Sequence, residues 1–75
     1  MLSGLRIGQR ANVARIEGAD EVSLRLMEMG LTPGAEVALI GVAPLGDPLE
    51  LEIRGYHLSL RKSEAARVEV IVRDL

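Results

Sequence analysis

The clearest pattern along the chain is the strict alternation of Leu49-Glu50-Leu51-Glu52-Ile53-Arg54, resumed after Gly55-Tyr56 as His57-Leu58-Ser59-Leu60-Arg61. Side chains on a strand point alternately to opposite faces, so this spacing predicts a hairpin with Leu49, Leu51, Ile53, Leu58 and Leu60 facing inward together. A glycine at the first central position suits a type II′ turn over Gly55-Tyr56. That register sets Arg54 opposite His57, Ile53 opposite Leu58 and Glu50 opposite Arg61. Glu36 to Ala43 is another apolar β stretch, with Gly41 marking a bend or bulge in its interior. Residues 11 to 17, closed by Gly18, and residues 68 to 72 supply two further strands.

Asp20 offers a side-chain oxygen at a helix start, Glu21 suits the positive end of the helix dipole, and Gly30 can turn left-handed after the last turn. Residues 21 to 29 are therefore expected to form a short helix. Leu31-Thr32-Pro33-Gly34 then reverses the chain in a type II turn, and Pro44-Leu45-Gly46-Asp47-Pro48 makes a rigid loop. Ser63, Glu64 and two alanines give one helical turn. Five short strands with one short α-helix after the first strand define a mainly β chain, and a small, strongly bent barrel is the architecture that leaves no sheet edge open.

The helix carries a second pattern. At about 100° per residue from Val22, Leu26 falls at about 40° and Met29 at about 340°, forming one inward stripe, while Leu24 at about 200° and Met27 at about 140° point away from it. Two sizeable apolar side chains thus look outward. Either they form a contact surface, or residues 1 to 10, with Leu2, Leu5 and Ile7, fold back over them, or the short helix is simply buried on most sides.

Seventy-five residues make one domain, 1–75, built around one core, so function must lie on its surface. The 48% hydrophobic content is almost wholly aliphatic, with Tyr56 the only aromatic, and there is no cysteine to form a disulfide or a zinc ribbon. Gly4, Arg6 and Gly8 interrupt the apolar residues of the start, and no apolar run approaches the ~20 residues of a membrane helix. This predicts a cytoplasmic chain. Nine Lys and Arg against eleven Asp and Glu give a net charge of −2, which argues against direct nucleic-acid binding.

Candidate chemistry is thin. His57, the only histidine, is expected at a solvent position with no cysteine or second histidine to share a metal. Glu50 and Glu52 alternate with core leucines beside Arg54 and Arg61 and read as a charge-balanced surface. No Gly-rich loop ends in Lys-Ser or Lys-Thr before a helix. These readings point to binding and not to catalysis, with no cofactor.

The order Leu24-Arg25-Leu26-Met27-Glu28-Met29-Gly30-Leu31-Thr32-Pro33-Gly34, then Ala43-Pro44-Leu45-Gly46-Asp47-Pro48, then Gly55-Tyr56-His57-Leu58-Ser59-Leu60-Arg61 and Glu64-Ala65 resembles the FeoA family, from about Leu5 to Val72. The resemblance implies a cytoplasmic SH3-like barrel that accompanies the FeoB membrane GTPase in bacterial ferrous iron uptake. The expected partner is then a FeoB-type transporter, with the membrane reached only through it. A similar domain ends the iron-dependent repressors related to the diphtheria toxin regulator, which makes a regulatory or self-association module the alternative. An RNA-binding barrel is disfavoured by the acidic balance and the lack of stacking aromatics. Peptide-binding SH3 domains dock proline-rich ligands on an aromatic groove, which Tyr56 alone cannot build. The grip is expected to be aliphatic, through Leu24 and Met27, with Arg25 and Glu28 setting orientation.

Overall fold

The computed structural model describes residues 1–73, so the last two residues of the expected domain lie outside it. The strands are β1 (Arg10–Ile16), β2 (Glu36–Val42), β3 (Leu49–Ile53), β4 (Tyr56–Leu60) and β5 (Val68–Arg73), and the helices are α1 (Glu21–Glu28) and α2 (Lys62–Ala65). Every element expected from the sequence is present, with ends within one residue of those expected. All pairings are antiparallel, in the order β4-β3-β2-β1-β5.

Two irregularities bend the sheet. One lies in β2 between Leu39 and Gly41, as Gly41 suggested, and the other in β1 between Val13 and Arg15, which no glycine announces. An extra residue on one strand increases local twist, which lets so short a sheet curl about a single core. Leu51, Ile53, Leu60, Val37 and Val68 fill that core together with Leu26 and Leu31. The three inward residues of β3 are all buried, and so is Leu60, whereas Leu58 is half-buried.

The hairpin register corrects the expectation. Ile53 pairs with Tyr56, Leu51 with Leu58, Leu49 with Leu60, Glu52 with His57 and Glu50 with Ser59. The turn residues are therefore Arg54 and Gly55, with φ of 52° and 84°. Positive φ at both central positions is the type I′ geometry, whose twist matches the flanking strands, and glycine takes the second position without steric cost. Glu50 then meets Ser59, whose hydroxyl donates to its carboxylate at 2.7 Å, and not Arg61. His57 stands 3.7 Å from Glu52, and not opposite Arg54. Because the register moved by two, every inward residue kept its face.

The N-terminal segment also settles away from the helix. Leu2 and Leu5 are buried where a 3₁₀ turn over Leu2–Gly4 packs against α2 and β5, while Ile7 is exposed. The chain does not fold back over Leu24 and Met27.

Candidate partner-binding face on the first helix

Helix α1 begins where the sequence places its cap. The Ser23 amide donates to Asp20 Oδ1 at 3.1 Å, and the Ser23 hydroxyl donates to the Asp20 carbonyl at 2.8 Å. This accounts for a buried serine, since its hydroxyl is satisfied within the same turn. Leu26 is fully buried, with Val22 and Met29 packed half-buried beside the core.

Three tertiary contacts then hold the helix. At its start, Arg67 donates from Nη2 to Asp20 Oδ1 at 2.6 Å and to the Glu17 carbonyl at 3.0 Å, joining the entry loop to the segment before β5. Along its length, Arg25 pairs with Glu64 of α2. At its end, the Tyr56 hydroxyl donates to the Met29 carbonyl at 2.6 Å. A backbone acceptor left open by the helix terminus is satisfied by a residue of the hairpin.

The Arg67 guanidinium, with help from the Ser23 amide, holds the Asp20 carboxyl down to about 2 from the ordinary 3.8. A carboxyl depressed on folding stabilises the fold above its unfolded value and loses that contribution as pH falls toward its folded one. Urea midpoints of the native chain should therefore decline between pH about 4 and about 2 more steeply than those of Asp20→Asn, which should also be the less stable at neutral pH. Parallel curves for the two proteins across that window would show that the Arg67 contact does not act in solution.

What the anchored helix presents is apolar. Leu24 is 55% exposed and Met27 41%, and with Ala19, Asp20, Glu21 and Ser23 they line a shallow, open depression. Of the four residues expected to contact a partner, Leu24, Met27 and Glu28 are exposed on this helix. Arg25 is exposed as well, but its guanidinium is engaged with Glu64. Sequence reading passed over Leu45, which is 97% exposed at the tip of the loop between β2 and β3. The signal was available, because an apolar residue between a proline and a glycine in a tight loop has no core to enter. Nothing in the sequence near Arg67 signals its reach to Asp20.

Among the described residues, no group of three or more His, Cys, Asp and Glu side chains is placed to hold a metal ion, and no helix is long and apolar enough to cross a membrane. The FeoA domain model matches residues 1–72. The chain belongs to the FeoA family. A relative from Porphyromonas gingivalis, a fusion of Fe(2+) transport protein A with the Fe(2+) transporter FeoB, is 39% identical over 69 residues, covering 92% of this chain and 8% of the fusion. The chain thus spans a small part of that relative's length. The solution structure of iron(II) transport protein A from Clostridium thermocellum superposes with a TM-score of 0.90 at 42% identity, covering 95% of this chain and 44% of that one. FeoA from Stenotrophomonas maltophilia, solved with zinc and described as a prokaryotic SH3 domain protein, gives a TM-score of 0.81 at 34% identity over 92% of this chain and 86% of its own. The mainly β, SH3-like fold read from the sequence is thereby established. A manganese-dependent transcriptional repressor has a TM-score of 0.87 but 20% identity, over 96% of this chain and 35% of its own, and shares the fold alone.

Proposed function

We propose that this FeoA-family chain is a cytoplasmic accessory protein of bacterial ferrous iron uptake that binds the cytoplasmic part of a FeoB membrane GTPase and modulates its assembly or activity. The observation that carries this is the fusion relative, in which a stretch similar to nearly the whole of this chain is covalently joined to a FeoB transporter. Fusion holds two modules at high effective concentration, an arrangement that favours partners acting on one another. It is a binding role and not an enzymatic one. The half-buried carboxylates Glu50 and Glu52 face Ser59 and His57 on the hairpin, within contact distance of neither a nucleophile–base pair nor each other's partner.

Contact runs through Leu24, Arg25, Met27 and Glu28. An anchored helix with two exposed aliphatic side chains gives a partner a preformed surface, so little ordering entropy is lost on docking. Leu24→Glu with Met27→Glu should leave circular dichroism and the melting temperature close to those of the parent, because both side chains already face water. The same pair should abolish capture of the FeoB cytoplasmic domain in a pull-down. Undiminished capture would exclude this face as the interface.

A further inference from the structure

The charges around the exposed face are lopsided. Viewed down α1, Glu28 and Glu21 fall at about 240° and 260°, one side of Leu24 at about 200°. Both carboxylates are exposed, and among the described residues neither takes part in an ion pair. Glu17, in the loop entering the helix, is likewise exposed, but its charge acts on Arg15 and Arg67. The nearby cations are already engaged, Arg25 with Glu64 and Arg67 with Asp20. The apolar pair is therefore bordered by the Glu21 and Glu28 carboxylates, which have no ion-pair partner among the described residues.

We propose that the occupant of this face is a basic amphipathic helix. It would lay aliphatic side chains across Leu24 and Met27, which form an i, i+3 ridge, and set Lys or Arg against Glu21 and Glu28. This rests on the reading of α1 as the docking surface and specifies the chemistry of what docks there. Other occupants fit less well. An anionic membrane surface or a nucleic acid would meet the carboxylates with like charge. A proline-rich ligand needs stacked aromatics, and the one aromatic ring has its hydroxyl engaged by Met29.

The test uses the full chain and two 18-residue probe peptides with the same leucine face, one carrying lysines and the other glutamates on the polar face. Amide shifts in 15N spectra of residues 20 to 28 should respond to the lysine peptide and not to the glutamate one. Glu21→Gln with Glu28→Lys should reverse that preference. The Glu28 change puts a cation at the helix C-terminus, where the dipole favours it, so the fold is not at risk. Against the FeoB cytoplasmic domain, the same variant should bind roughly tenfold more weakly at low salt and nearly as well as the parent at about 1 M salt, where the screening length is only ~3 Å.

Equal response to both peptides, or none at residues 20 to 28, overturns the inference. So does unchanged FeoB affinity of the charge variant, if Leu24→Glu with Met27→Glu abolishes that binding. In that last case the docking face stands and its charge preference falls. If the lysine peptide docks on residues 20 to 28 while FeoB binding survives the Leu24 and Met27 changes, the inference stands and the FeoB reading falls.

Discussion

Leu26→Ala is expected to destabilise the domain by about 2–5 kcal/mol, the range for truncating a buried leucine. Leu26 is the one fully buried aliphatic side chain of α1 and joins the helix to the core around Leu31 and Leu51. A chain of this size has roughly 4–11 kcal/mol of total stability, so the loss is a large fraction of it. At about 4–8 °C per kcal/mol, the thermal midpoint should fall by at least ~8 °C. Leu24→Ala, two residues away on the exposed side, should cost no more than about 0.5 kcal/mol. A thermal scan of both variants by circular dichroism checks the contrast. Similar shifts for the two would mean that α1 is not anchored through Leu26.

Gly30→Ala should be nearly as damaging, for a different reason. Gly30 has φ of 108°, a conformation that residues with a Cβ rarely adopt, and an added Cβ would lie 2.7 Å from the Tyr56 hydroxyl oxygen. Backbone strain of about 1–3 kcal/mol adds to the loss of the Tyr56–Met29 hydrogen bond, worth about 0.5–1.5 kcal/mol. Tyr56→Phe removes the second contribution alone and relieves the close approach. Gly30→Ala should then cost less in the Tyr56→Phe background than in the parent, by about 1 kcal/mol, in a urea-denaturation cycle. Strict additivity would show that the Tyr56 hydroxyl does not sit over Gly30 in solution.

These two positions illustrate how unevenly the fold was legible. The inward role of Leu26 follows from helical periodicity and needs no tertiary information. Gly30 was legible as a helix stop, but its closeness to Tyr56 depends on the hairpin register, which the sequence left open. Alternation has a period of two, so a register shifted by two residues puts the same leucines on the same face. Both Gly55-Tyr56 and Arg54-Gly55 turns satisfy the pattern of Leu49 to Arg61. The observed turn holds the non-glycine Arg54 at φ of 52°, a disfavoured backbone. Contacts made elsewhere offset this: Arg54 donates to Thr32 Oγ1 at 3.0 Å, and Tyr56 reaches the Met29 carbonyl.

The candidate site divides the same way. That Leu24 and Met27 point away from the helix's core stripe was a matter of angle. Whether residues 1 to 10 would cover them was not, because the placement of an N-terminal segment depends on which crevice best buries Leu2 and Leu5. That crevice lies by α2 and β5. Neutralisation of Arg25 by Glu64, 39 residues away, was equally beyond local reading.

A mainly β chain with five strands, a capped helix and two outward aliphatic side chains was determined by the sequence itself, since caps, turns and periodicities act between near neighbours. The tertiary structure decided the hairpin register, the three contacts that hold α1, the burial of the N-terminal leucines and the unbalanced carboxylates beside Leu24. Each of these depends on groups distant in the chain meeting in space, and local pattern carries no information about which of them will meet.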